Sequence, residues 1–336
     1  MISIAQQYAM IKYDTNCGGA MMKHKYLFGP VPSRRLGVSL GIDLIPHKTC
    51  SLNCIYCECG KTTNLTVERK EYVPTEKVIE ELAQYLQDQP ELDYITFAGS
   101  GEPMLHSRID QIINWLKINY PGYKLCLLTN GTLFTDRKNR EAVQNIDLII
   151  PSLDTATAEG FAKINRPDQN LNCDEMIESL VKLRCEYEGT IILEIMIIPG
   201  INDQQQELVA LKAAIDRIKP DRVQLGTLDR PGTESWVEAA SLETMQEIAH
   251  FLGNVELIGN FKPRRQIASF NEMHSENILE ILHRRPCTVE DLQQALNLHP
   301  AELQKYVNQL LEENRVKVEQ RERGQFLVLT KKTETK

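Results

Sequence analysis

The chain has 336 residues, 42% hydrophobic and 25% charged, an ordinary globular composition with room for one large domain and a smaller one. Lys and Arg number 38 against 46 Asp and Glu, a formal net charge of −8, which argues against a protein held to nucleic acid by phosphate contacts alone. No apolar run reaches the roughly 20 residues of a membrane span, and the first residues lack the basic-then-apolar pattern of a secretory signal. Nine cysteines without a regular framework fit a reducing compartment, so a cytoplasmic location is expected.

Residues 1–27 show no sustained periodicity and read as a poorly ordered extension. From Val38 the chain alternates strand-like and helix-like segments. Strands are predicted at 38–45, 94–98, 125–128, 148–153, 191–198 and 222–226. Helices are predicted at 75–86, 107–118, 136–143, 174–187, 205–218 and 242–252. Thr75 and Ser107 are the expected caps of the first two helices. Six strand–helix units with nearly continuous apolar strands imply a parallel sheet covered by helices, either doubly wound or an incomplete barrel. In both, chemistry collects at the carboxyl ends of the strands.

The pattern changes after residue 260. A basic linker at 261–273 (Lys262, Arg264, Arg265) leads to helices at 276–283, 289–296 and 301–314, with Thr288 capping the second. Strands at 316–319 and 326–329 flank a turn at 321–324. Three helices and a hairpin predict a winged-helix-like domain at 274–331, with a tail at 332–336. Its third helix carries Glu302, Glu312 and Glu313 against Lys305 and Arg315, which argues against sequence-specific DNA binding.

The sharpest signal is KTCSLNCIYC, in which Cys50, Cys54 and Cys57 follow the first strand with C-x3-C-x2-C spacing. Three thiolates can hold a structural zinc if Cys59 or His47 adds a fourth ligand. On a four-iron cluster they leave one iron open, unlike the ferredoxin spacing, which binds every iron. The motif, with aromatic Tyr56 before its last cysteine, resembles the radical S-adenosylmethionine (SAM) superfamily. The resemblance implies a partial (βα)6 TIM-like barrel and a [4Fe-4S] cluster bound by Cys50, Cys54 and Cys57. Its open iron would chelate SAM, and an electron from flavodoxin or ferredoxin would cleave SAM to a 5′-deoxyadenosyl radical.

Further motifs support it at successive strand ends. GSGEP resembles the superfamily's GGEP, with Ser100 in place of its first glycine; Gly101, Glu102 and Pro103 complete it, and Glu102 would accept the methionyl ammonium. The third strand ends in Thr129-Asn130-Gly131, a strand-end signature of the superfamily. Ser152 and Asp154 resemble its S-x-D, whose side chains bind the ribose; residues two apart on a strand share a face. Arg166, in INRP, is expected near the SAM carboxylate. Met196 and Leu225 are candidates for adenine contact or simple packing. Arg34 and Arg35 are candidates for an anionic substrate group.

The segment 28–46, with IYCECGKT, resembles a group of radical SAM iron–sulfur proteins related to the enzyme that forms the wyosine base of tRNA, over 28–330. Cys17, Cys126, Cys173, Cys185 and Cys287 are dispersed, with Cys126 and Cys185 expected as buried thiols, which argues against a second cluster and against wyosine synthesis itself. The expected activity is hydrogen abstraction from an RNA nucleoside, a peptide or protein, or a metabolite. An iron–sulfur redox sensor regulating transcription through the winged helix is the competing reading, and it leaves GSGEP and S-x-D unused.

Overall fold

A computed structural model describes residues 24–33, 35–229, 232–253, 255–258, 274–296, 300–321 and 324–330. Residues 1–23 of the extension expected at 1–27, Arg34, the linker at 261–273 and the tail at 332–336 lie outside the described residues.

The main sheet is built from β1 (Leu27–Ser33), β2 (Gly37–Ile42), β3 (Tyr94–Phe97), β4 (Leu125–Thr129), β5 (Leu148–Pro151), β6 (Thr190–Ile197), β7 (Arg222–Thr227) and β8 (Val255–Leu257). They lie side by side in chain order, β1 antiparallel to β2 and every later pair parallel. A doubly wound sheet reverses its strand order at a switch point, whereas a barrel advances one strand at a time. The sequential order therefore selects the incomplete barrel. Arg35, in the turn after β1, forms an ion pair with Glu194 of β6, four strands away, which requires the sheet to curl.

Helices α1 (Thr75–Leu86), α2 (Ile109–Asn119), α3 (Cys173–Glu186), α4 (Gln205–Ile218) and α5 (Leu242–Leu252) connect the strands. Their apolar stripes, such as Val78, Ile79, Leu82 and Leu86 on α1 or Ile109, Ile112, Ile113 and Leu116 on α2, pack on one face of the sheet in a single large core. A smaller cluster of Leu36, Cys126, Leu148, Ile150 and Ile192 fills the other face at the opposite end from the strand-end motifs.

Several local expectations need correction. Thr75 is the first helical residue rather than a cap; Pro74 precedes it, and the Thr75 N–H donates to Glu71. Arg108, not Ser107, occupies the N-cap of α2 without a side-chain bond. The helix expected at 136–143 is shorter, Arg137–Glu141: Asp136 is its N-cap rather than its first residue, and Ala142 already closes it. Cys126 is buried as expected, but Cys185 is exposed on the outer side of α3. The Ala158–Asn165 helical segment, strand β1 and the short edge strand β8 carry too little periodicity to be read from sequence.

The C-terminal unit comprises α6 (His274–Arg284), β9 (Cys287–Thr288), α7 (Val289–Leu296), α8 (Pro300–Glu312), β10 (Val316–Arg321) and β11 (Gly324–Leu329). Its antiparallel sheet, in the order β9-β11-β10, and its helices enclose a separate core including Ile278, Leu292, Leu303, Val307 and Leu310. Thr288 and Asp291 cap α7 reciprocally, as expected for Thr288. Glu313 and Arg315 fall beyond the end of α8 rather than within it.

The chain enters β1 over Glu81 of α1, whose carboxylate accepts the backbone N–H groups of Lys25, Tyr26 and Leu27. Burial alone would raise its pKa, but His24 and these donors hold it below the ordinary carboxylate value. Its stabilisation is therefore present at neutral pH and is lost as pH falls through that lowered pKa. Glu81→Ala is expected to cost about 1–3 kcal/mol, read from the denaturant midpoint at neutral pH, with a smaller difference from wild type in acid.

Candidate cluster and cofactor site

The cysteine loop leaves the carboxyl end of β2, passes over the barrel mouth and is fixed by backbone bonds at several points. Asn53 N–H donates to the carbonyls of Asn165 and Arg166, Ile55 N–H to Ile164, and Asp168 N–H to Ser51. The anchoring strip is the segment around INRP, which turns at Arg166 with φ 44°. Sequence reading proposed Arg166 for its charge. In the structure its guanidinium pairs with Glu234, and its backbone helps hold the loop.

Cys50, Cys54 and Cys57 are all free thiols, and each has a side-chain nitrogen donor, with backbone N–H groups of Leu52 and Cys59 adding to Cys50 and Cys57. Asn130 Nδ2 lies 3.5 Å from Cys50 Sγ, Asn165 Nδ2 lies 3.4 Å from Cys54 Sγ, and Lys48 Nζ lies 3.0 Å from Cys57 Sγ. Burial pushes Cys50 up to about 11, with Glu102 adding to it and Lys48 opposing. Burial and Asp154 push Cys54 well above the usual thiol range. Cys57 is drawn down to about 5 by a hydrogen bond from Cys59 and by the Lys48 ammonium. Burial works against the Lys48 charge, but the surrounding thiols raise its pKa on balance.

GSGEP follows β3 and packs under the cysteine loop. A Cβ on Gly101 would stand 1.9 Å from the Thr49 carbonyl, and Glu102 N–H donates to that same oxygen at 3.2 Å. Glycine is thus required for the close approach of two backbones. Ser100 turns away from the loop: its N–H and Oγ both bind Asp43, at 3.1 and 2.7 Å. Pro103 opens the following 3-10 turn.

Glu102 is 3% exposed and accepts from Met104 N–H (3.0 Å), Thr129 Oγ1 (2.7 Å) and Asn130 N–H (2.8 Å). Its pKa is raised to about 7 because burial outweighs those donors. Asp154 is 2% exposed and accepts from Tyr56 OH (2.6 Å), Asn165 Nδ2 (2.7 Å) and Met196 N–H (2.9 Å). Burial raises it to about 6. Ser152 stands beside it on the continuation of β5, bridged to Glu194.

The structure therefore brings together Cys50, Cys54, Cys57, Tyr56, Gly101, Glu102, Asn130 and Asp154, while Ser100 and the Arg166 guanidinium engage other partners. Sequence reading missed Lys48, Asn165 and Asn202. Asn202 is fully buried and donates to the carbonyls of Asp154 and Met196, fixing both. The Asn in INRP and the Lys in KTC were visible; their aim at sulfur was not.

This donor set suits a thiolate-bound cluster. Among the described residues no three His, Cys, Asp or Glu side chains converge closely enough to hold a single metal ion. The three thiols nonetheless act on one another electrostatically: Cys57 adds to the upward shift of both Cys50 and Cys54. Glu102 and Asp154 each accept three bonds, fewer than the roughly four lone-pair sites of a carboxylate.

The sequence profile of the Radical SAM superfamily matches residues 44–211, which include all of these motifs up to Asn202. A UPF0026 protein of Methanocaldococcus jannaschii is 32% identical over 280 residues, covering 80% of this chain and 85% of that protein. A Brachyspira hyodysenteriae protein named GTPase Obg is 34% identical over 301 residues, or 89% of this chain, but the match spans only 44% of its length. A radical SAM methyltransferase from Sphaerobacter thermophilus shares the fold, with a TM-score of 0.50 over 66% of each chain at 18% identity. The chain belongs to the radical SAM superfamily, whose enzymes use a [4Fe-4S] cluster and SAM, and to the UPF0026 family.

Proposed function

We propose that Cys50, Cys54 and Cys57 ligate three irons of a [4Fe-4S] cluster and that the chain abstracts hydrogen from a substrate by radical SAM chemistry. When bound and reduced, the cluster supplies the electron that cleaves SAM to methionine and a 5′-deoxyadenosyl radical. The observation that carries this reading is the matched set of three thiols in one loop, each met by a side-chain nitrogen donor from Lys48, Asn130 or Asn165. Lys48, Asn130 and Asn165 stabilise charge on the sulfurs. Glu102 presents a fixed carboxylate for the methionyl ammonium, with Ser100, Gly101 and Pro103 shaping its turn. Ser152 and Asp154 face the ribose, Tyr56 and Asn202 hold Asp154 in place, and the INRP strip with Arg166 keeps the loop closed against water.

We read 28–260 as the catalytic barrel and 274–331 as a winged-helix-like domain joined by the linker at 261–273. The segment 28–46 supports assigning the chain to the wyosine-related group; cysteine usage supports a cytoplasmic location, and the superfamily chemistry calls for a reductant such as flavodoxin or ferredoxin. The substrate is an RNA nucleoside, a peptide or protein, or a metabolite.

Anaerobic reconstitution with iron and sulfide, followed by dithionite and SAM, tests the reaction class. Wild type is expected to form 5′-deoxyadenosine. Cys50→Ser, Cys54→Ser and Cys57→Ser are each expected to lose most bound iron and all SAM cleavage; retention of both in any one would refute the assignment. Lys48→Met removes a buried cation from Cys57. Because reduction adds negative charge to the cluster, its midpoint potential is expected to fall by tens of millivolts, read by EPR-monitored titration, with iron content unchanged.

A further inference from the structure

A cavity of about 230 Å³ lies between the inner face of the barrel and the C-terminal unit. Its floor includes Ser39 and Thr96, whose hydroxyls bind each other at 2.6 Å. Gly99 and Cys59 bring its wall against the GSGEP turn and the cysteine loop, and the Cys59 thiol donates to the Arg284 carbonyl at 3.2 Å. The far wall is formed by α6 and the residue after it, Arg285.

Three arginines line this space, and their partners differ. Arg35 is paired with Glu194 and also feels the charge of Glu58, the single carboxylate among the lining residues. Arg284 gives its guanidinium to Asp43 and Ser100 and lies over the Phe28 ring at 5.2 Å. Glu194 and Asp43 are thus taken by these two. Arg285 is partly buried, and no carboxylate pairs with it among the described residues. A planar guanidinium without a carboxylate partner among the described residues, set in a concave wall, matches carboxylate or phosphate oxygens in a bidentate fork. The cavity is smaller than the roughly 300–1,000 Å³ of drug-sized ligand sites, which suits a small metabolite.

We propose that this cavity is the substrate site, that the substrate is a small molecule carrying a carboxylate or phosphate, and that Arg285 of the C-terminal unit binds that oxyanion. The word substrate rests on the radical SAM reading above; the oxyanion site itself does not.

The test uses the full chain and two probes, sodium phosphate and sodium propionate, against sodium chloride at equal ionic strength. Arginine modification by phenylglyoxal, mapped by peptide mass spectrometry, is expected to be several-fold slower at Arg285 in phosphate or propionate than in chloride. Whichever probe protects identifies the oxyanion; equal rates in all three overturn the proposal. In parallel, the protecting anion is expected to raise the thermal midpoint of wild type and of Arg137→Gln, a charge-matched change at an exposed helix residue paired with Glu141. The rise is expected to vanish in Arg285→Gln. A rise that survives in Arg285→Gln, or disappears equally in Arg137→Gln, overturns the assignment. Formation of 5′-deoxyadenosine by wild type, measured alongside, judges the reaction class separately: its absence would refute that reading without altering the anion result.

Discussion

The site depends on keeping three mutually repelling, half-buried sulfurs in one loop after a single strand. Burial and like charge both oppose ionisation, as the raised Cys50 and Cys54 thiols show. A side-chain N–H donor on each sulfur meets part of that cost, and one of these donors is a full cation. Lys48 is only 3% exposed, and a lone buried ammonium would be strongly unfavourable. Cys57 and Lys48 are therefore stable in charged form because of each other. The loop geometry that brings them to 3.0 Å is set by backbone bonds to the INRP strip and by the missing Cβ of Gly101.

Two carboxylates then tie the strand ends into a frame. Glu102 joins the turn after β3 to the turn after β4 through Thr129 and Asn130. Asp154 joins β5 to β6 through Met196 and reaches the cysteine loop through Tyr56. Their raised pKa values show that desolvation exceeds what the donors return. Such groups destabilise the fold on their own account unless a cation or further donor arrives. Their orientation is already fixed, so an arriving ammonium or hydroxyl need not order them, and less affinity is lost on binding.

The fold was legible where periodicity was strong. Helices 75–86, 205–218 and 242–252 match their observed limits because each shows an uninterrupted apolar stripe. The cysteines, Glu102, Asn130 and Asp154 were legible because spacing places them at strand ends. What sequence could not give was direction. Arg166 was chosen for its charge, yet its backbone does the structural work, and Ser100 faces Asp43 because Gly99 adopts φ 147° beside that carboxylate. Lys48 and Asn165 become sulfur donors only through contacts spanning 9 and 111 residues. The Ala158–Asn165 segment escaped notice because its residues alternate without a stripe and its second half winds as a π-helix.

The incomplete barrel also explains why a second unit sits against it. A curled sheet that does not close leaves its polar interior, including Ser39, Thr96 and Glu194, open between its edges. Strand β1 folds back to cover one side, and the C-terminal unit covers more, with α7 packed along β1. The contact at Asp43 shows that this is more than loose docking. Asp43 is 5% exposed and takes neutral donors from Ser100 and Ile45, while its one cationic partner among the described residues, Arg284, comes from 241 residues away. Without Arg284 the barrel would hold a buried carboxylate with no compensating charge among the described residues beside the GSGEP turn, a state typically costing several kcal/mol. The barrel residues at this point are therefore matched to the C-terminal unit, and the wall of the cavity is shared between them.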